Sequence, residues 1–461
     1  MGLGGAFVQL PATQNLLVDL GYESISTVPL GIIMLGSAPC AVIIPKVISL
    51  HGEKKTFVVG SFFGIVGALL QMIGPLTAAA LGSDIKSSIA ADRATTQVVV
   101  LVIVGALPQA FMYATTNNLR FSVAQFSTPE FLPKATALVL FGGVLSALLG
   151  PLLSAVTRFW ISGALYAGNY LQIALMYVVF ATLAFLADFK QPTSNLDNNA
   201  DFFSWIWVRR REVGNNVRID GDDLSLIEGQ QVVTAGEGTR ANNNNVSERT
   251  LFEIIKQTDL LLLTLFQVLS YNIMAMYMGQ FKLPMTASGC SVDSFTYAIT
   301  AHMLGMFLPG LFSGQIISRF GTWATTTVGF LLFPVGGAMF LINDSIAMFV
   351  FGITIVGIGW NLSFIGPSAE VSKIYSPSVV GFNDGIMLLT VGIFFLTASK
   401  IYIAVGSWNV FNYILMGFSV FSALLALCRG LYKCMIGLDE DSFSADSLAQ
   451  SLLTAGSICT L

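Results

Sequence analysis

Apolar residues along this chain fall into long unbroken runs, and the polar residues collect in the gaps between them. A helix needs roughly 20 residues to cross a hydrocarbon layer of about 30 Å. Twelve runs reach that length: 1–20, 24–44, 57–80, 98–119, 135–156 and 165–187, then 260–281, 295–317, 324–342, 345–365, 384–405 and 408–428. The pattern therefore predicts twelve membrane-spanning helices. The first run opens at Met1 itself, where a shortened N-terminus is the expectation.

One interval breaks the pattern in kind. Residues 189–250 carry Arg209, Arg210 and Arg211, many acidic residues and an asparagine tract from Asn242 to Asn245. Such a polar, low-complexity stretch cannot bury enough apolar surface to fold, and it predicts a disordered linker. It divides the chain into a six-helix half at 1–188, a second at 251–430 and a polar tail at 431–461.

Composition turns the pattern into a class. Of the 461 residues, 54% are hydrophobic and 10% charged, and the mean hydropathy is +0.74. Soluble domains carry about 25% charged residues. Lipid solvates so much apolar surface, provided each helix satisfies its own backbone. A formal charge of −4 with no basic face excludes nucleic acid as a partner. The five cysteines show no CxxC pair or metal-ligand spacing. Residues 1–20 lack the basic start and cleavage site of a signal peptide, and Ala6 stands where a myristoylation motif needs Ser or Thr. No cofactor is expected.

Lysine and arginine set the expected orientation, because cytoplasmic loops retain them. With the first helix running outward, 17 of the 22 basic residues fall on the cytoplasmic side and 5 opposite; without the eight in and around the linker, Lys256 included, the ratio is 9 to 5. Both termini and the linker are thus expected in the cytoplasm, and the plasma membrane is the expected location.

The loops after the second and eighth runs repeat each other. Pro45, Ser49 and Gly52 have the same spacing as Gly314, Ser318 and Gly321, and the two glycines lie 269 residues apart. A duplicated six-helix unit is a known transporter architecture. These loops resemble the Gly-xxx-Asp-Arg-x-Gly-Arg-Arg signature of the major facilitator superfamily. Ser49 and Ser318 replace its acidic residue, Pro45 replaces its first glycine, and only Arg319 keeps its arginine. The acidic residue contributes a gating charge pair in that family. Here a serine is left, which could cap a helix end. Gly142, Gly143, Gly150 and Pro151 resemble a weak form of the family's fifth-helix signature. Further segments are similar to a bacterial-type subgroup of these permeases: Leu119 to Phe121, His302 to Phe307, Gly359 to Asn361 and Gly381 to Asp384. The resemblance implies an all-α bundle of twelve transmembrane helices.

Polar residues inside a span normally face protein or a water-filled cavity. Gln109, Tyr113 and Asn117 follow one another at four-residue spacing on the fourth run, behind Pro108. Gln9 and Thr13 flank Pro11 on the first run, Gln267 and Tyr271 pair on the seventh, and Trp360 and Asn361 adjoin on the tenth. The resemblance implies that these four helices line a central cavity, so these nine residues are the candidate solute site. Each is also a candidate for ordinary interhelical hydrogen bonding, worth about 0.6 kcal/mol on average. His302 is the proton-coupling candidate, because it is the one ionisable side chain placed deep in a span; a neutral packing histidine is the alternative. Lys54, Lys55, Arg120, Arg319 and Asp384 are gating candidates at the inner mouth, with interfacial anchoring as the plainer role.

The expected function is transport of a small organic solute by a monomer in the bilayer. The alternative is a receptor or scaffold of the same fold that does not transport. No HExxH motif, carboxylate pair or nucleophile–base cluster supports an enzyme.

Overall fold

A computed structural model describes residues 2–80, 89–126, 132–187, 189, 207–208, 249–250, 257–374 and 377–441. The first half contains α1 (Gly2–Asp19), α2 (Val28–His51), α3 (Glu53–Ala80), α4 (Ile89–Phe126), α5 (Leu132–Thr157) and α6 (Ala167–Leu186). The second contains α7 (Thr258–Gln280), the short α8 (Lys282–Ala287), α9 (Val292–Phe307), α10 (Ser313–Phe320), α11 (Thr322–Ile342), α12 (Ile346–Ile374), α13 (Pro377–Val405) and α14 (Trp408–Asp441). Among the described residues, nine helices are long and apolar enough to cross a bilayer, and α9 with α10 forms a tenth, bent by 58°. With α1 and α5 this gives the twelve spans of two six-helix halves.

Several helices outrun the apolar runs that predict them. At 1.5 Å per residue, α4 with its 38 residues extends about 57 Å, well beyond the hydrocarbon layer. α14 continues through Asp441, eleven residues into the segment expected as a tail. Arg429 explains part of that extension: it pairs with Asp259 at the start of α7 and lies over the rings of Trp323 and Tyr432. Most of the 189–250 linker lies outside the described residues. Within it, two short strands, Trp207–Val208 and Arg249–Thr250, pair antiparallel.

The eighth run is broken by its own sequence. Pro309 has no backbone N–H to donate, and a one-turn 3₁₀ segment, Pro309–Leu311, joins α9 to α10. Asn361 of α12 braces the break. Its Nδ2 donates to the Met306 carbonyl at 2.6 Å, and its Oδ1 accepts from Ser313 Oγ at 2.8 Å.

The two signature-like loops fold alike. Gly52 and Gly321 both have φ near +80°, a conformation that glycine adopts without steric cost. Each donates its N–H to the last turn of the preceding helix, to Ile48 and Ile317 at 2.8 and 2.7 Å. Each also accepts a threonine hydroxyl at 2.8 Å, from Thr56 and Thr325. The serines do not cap the following helix. Ser49 and Ser318 fold back and donate to carbonyls three residues earlier, at 2.8 and 3.0 Å.

Small residues let the main chains approach where apolar burial alone gives no reason to associate in lipid. A Cβ at Gly67 would stand 2.5 Å from the Gly105 carbonyl, which packs α3 on α4. The corresponding pair in the second half is α11 on α12, where Gly336 faces the Gly352 carbonyl at 2.7 Å. Between the halves, α2 packs along α13 through Gly31, Gly381, Gly385 and Gly392, and α5 packs on α9. Overfilling a contact of this kind costs about 1–3 kcal/mol. Gly67→Val is therefore expected to lower the melting temperature of the purified protein by several degrees, as read by a thermal-shift assay in detergent; an unchanged midpoint would show that α3 and α4 do not meet there.

Candidate functional site

The first half supplies Phe7 and Tyr113 to the middle of the bundle, and the second supplies Tyr271, Phe307, Trp360 and Phe364. The Tyr113 and Tyr271 hydroxyls meet at 3.3 Å across the boundary between halves. Tyr271 stands edge-on to Trp360 and to Phe364, with centroids 5.5 and 5.9 Å apart. Trp360 stacks on Phe364 at 5.0 Å with an interplanar angle of 11°. Phe307 links Trp360 to Phe7 at 6.3 and 5.4 Å. Gly143 of α5 lets Phe307 come close, because its Cβ would lie only 3.2 Å from that ring. Phe7, Tyr113, Tyr271 and Phe307 keep part of their surface accessible.

This seam brings together three of the nine sequence-predicted site residues, Tyr113, Tyr271 and Trp360. Gln109 Nε2 donates to Gln71 Oε1 at 2.6 Å, and Gln71 in turn donates to the Val102 carbonyl at 2.9 Å, all within the α3–α4 contact. Gln9 Nε2 donates to Thr13 Oγ1 at 3.0 Å, and Thr13 approaches the Tyr170 hydroxyl of α6 at 3.4 Å. Gln267 exchanges amide hydrogen bonds with Asn383 of α13, and Asn361 braces the α9–α10 break. Asn117 is half-buried on α4. The four-residue stripe on α4 thus divides, with Gln109 turned to α3 and Tyr113 to α7. Phe7, Phe307 and Phe364 escape a search for polar residues. The signal that could reveal them is aromatic spacing, as Phe364 lies one turn beyond Trp360.

His302 is buried between α9 and α12. Its Nδ1 lies 2.7 Å from the Ile353 carbonyl, which can only accept, so Nδ1 carries the proton. Nε2 has no hydrogen-bond partner among the described residues. The ring points into the second half's own helix packing. Lys54 lies over the Phe185 ring at 5.0 Å, Lys55 and Arg319 are exposed, and Asp384 is buried on α13. The Arg120 side chain lies outside the described residues, and with it any pairing to Asp384.

The end of the bundle opposite Gly52 and Gly321 is sealed by bonds between the halves. Gln14 Nε2 donates to the Gly279 carbonyl at 3.2 Å. Thr27 Oγ1 donates to the Phe395 carbonyl at 2.7 Å and sits 3.0 Å from Ser399 Oγ. Arg158, just past α5, pairs with Asp293 of α9 at 2.9 Å. The loop between α5 and α6 is fixed by Tyr166, whose backbone N–H donates to the Arg158 carbonyl at 3.0 Å and whose hydroxyl donates to Asp19 at 2.5 Å. Burial, and then the Asp19 carboxylate, raise the pKa of that phenol, so it stays a donor. Among the described residues no group of three or more His, Cys, Asp or Glu could hold a metal ion.

The bundle, with aromatic rings joining its halves and bonds between the halves at one end, matches the fold of known transporters. The chain is 25% identical over 418 residues to the riboflavin transporter RfnT of Brucella anthropi, covering 90% of this chain and 87% of that one. It is 21% identical over 376 residues to the uncharacterized MFS-type transporter YdeG of Bacillus subtilis, covering 80% and 75%. Among solved structures it resembles the nucleoside transporter NupG (TM-score 0.56, 12% identity, 93% and 99% covered) and a bacterial homologue of the iron transporter ferroportin (TM-score 0.53, 12% identity, 92% and 96% covered). No protein-family model matches the chain. The chain is an integral, multi-pass membrane protein with the fold of these transporters, and the curated proteins it is similar to are transporters.

A role in packing separates Gln109 from the seam. Gln109→Ala, which strands Gln71 inside the bundle, is expected to lower the melting temperature while changing solute affinity less than about twofold. Lost affinity at unchanged stability would instead place Gln109 at the solute.

Proposed function

We propose that this protein carries a small organic solute across its membrane by alternating access, with the solute held where the two halves meet. The observation that carries this reading is the Tyr113–Tyr271 contact, which joins the halves through accessible rings at the middle of the bundle. A site between repeats, exposed first to one side and then to the other, is how such transporters work. The named relatives handle riboflavin, nucleosides and iron, so their names narrow the cargo no further than a small solute.

The basic-residue bias supports an orientation with Gly52, Gly321, both termini and the linker in the cytoplasm. In that orientation the sealed end faces outward, and the protein works as a monomer of two halves, 1–188 and 251–430. Lys54, Lys55 and Arg319 then sit at the inner mouth. Breaking the outer seal should favour outward opening. Cys290 reports on it, because it is half-buried at that end and burial raises its thiol pKa. With the other four cysteines changed to serine, Arg158→Gln is expected to speed maleimide labelling of Cys290 several-fold from outside. Labelling that does not change would remove Arg158–Asp293 as part of the seal.

The same reading assigns His302 to packing, since its protonated nitrogen is committed to a backbone carbonyl inside one half. Uptake into proteoliposomes, measured with and without a pH gradient, tests both points. His302→Gln is expected to retain whatever gradient dependence the unaltered protein shows; loss of that dependence with intact counterflow would restore histidine as the coupling group. A broad solute panel with no uptake at all would favour a receptor or scaffold.

A further inference from the structure

We infer that the cargo is a neutral, planar heteroaromatic molecule bearing a hydrogen-bond acceptor at its edge, which inserts among the rings of the seam and takes the Trp360 indole N–H. This inference rests on the transport reading above and narrows it to a substrate class.

Three properties of the seam carry it. The first is its surface. Six rings from five helices form one connected group, and both halves contribute to it. Flat rings recognise other flat rings through stacked and edge-on contacts at the spacings already present here. When the halves part, the ring faces and edges that now touch each other become the surface offered to a solute.

The second is an unused donor. Trp360 is 7% exposed, and its Nε1 has no hydrogen-bond partner among the described residues. A tryptophan buried in this way normally finds an acceptor for its N–H. Neighbouring polar groups of the same helix are already engaged. Asn361 braces the α9–α10 break, and Ser363 meets Ser270 at 2.6 Å. The donor therefore points to an acceptor brought by the cargo, a ring nitrogen or a ring carbonyl.

The third is what the seam does not offer. The six residues include no carboxylate, ammonium or guanidinium group. An ionic solute would lose its hydration without gaining a counter-charge. A sugar or another polyol would leave most of its hydroxyls unpaired against phenylalanine, at a cost for each. A purely aliphatic solute would leave the indole donor stranded. A neutral heteroaromatic ring is the class that satisfies all three conditions.

The test uses the full-length protein in lipid nanodiscs for calorimetric binding, and in proteoliposomes for uptake. The probes are lumichrome, adenine and uracil against glucose and L-leucine. The ring probes are expected to bind and enter, and the other two to do neither. Trp360→Phe keeps a ring and deletes only the donor, and it should weaken ring-probe binding by about fivefold to tenfold. Phe364→Leu, which removes the stacking partner, should weaken binding as well, with thermal-shift midpoints confirming that both variants fold. Uptake of glucose or leucine without any ring probe would overturn the inference and leave the transport reading intact. Failure of all five probes to bind would overturn it too, and if a broader panel also fails to enter, the transport reading falls with it. Unchanged affinity in folded Trp360→Phe would overturn the assignment of the indole donor.

Discussion

Inside a bilayer, a polar group has no water to fall back on, and every structural choice in this protein answers to that constraint. Serine and threonine hydroxyls fold back onto their own helices, as Ser37, Ser61, Thr115 and Thr300 do. Amides are consumed in pairs, Gln109 with Gln71 and Gln267 with Asn383. Asn361 satisfies the backbone that Pro309 disrupts. Because the helices cannot rely on apolar burial to associate, glycines bring their backbones together, and the amides bond across the narrow contacts that result.

The same constraint separates a site from packing. Most buried polar side chains proposed for solute binding turn out to have partners in their own half. The Trp360 N–H is different, because it belongs to a ring group shared by both halves and has no partner there. The fold also distributes its bonds unequally. One end of the seam is held by Gln14, Thr27 and the Arg158–Asp293 pair, while small-residue contacts such as Gly381 on Ala41 run along α2 and α13. Hydrogen bonds that exist in one arrangement of the halves and not in the other can bias a two-state equilibrium. A close-packed backbone seam can tilt without losing bonds of this kind.

The two signature-like loops show how a duplicated unit keeps its geometry after its chemistry has drifted. Gly52 and Gly321 preserve the left-handed turn, the N–H bond to the preceding helix and the threonine contact. The other residues of the two loops differ, and both serines bond the preceding helix. Conformation is held by the glycine and the threonine, which the turn needs. The charge at the acidic position is not needed for the turn itself.

The sequence by itself determined the membrane class, the all-helical architecture and the paired turns at Gly52 and Gly321, because hydropathy and glycine conformation are local properties. It also pointed to the helices that carry Tyr113, Tyr271 and Trp360, which the fold brings together. It could not choose among the polar residues on those helices. Gln109 and Tyr113 are one turn apart and equally plausible in one dimension, yet one faces α3 and the other faces the opposite half. Only the tertiary structure decided that, because a hydrogen-bond partner 38 residues away for Gln109 and 158 away for Tyr113 is invisible to spacing along a single helix. The aromatic character of the seam emerged the same way: Phe7, Phe307 and Phe364 read as lipid-facing or core residues until the fold brings them together around Trp360.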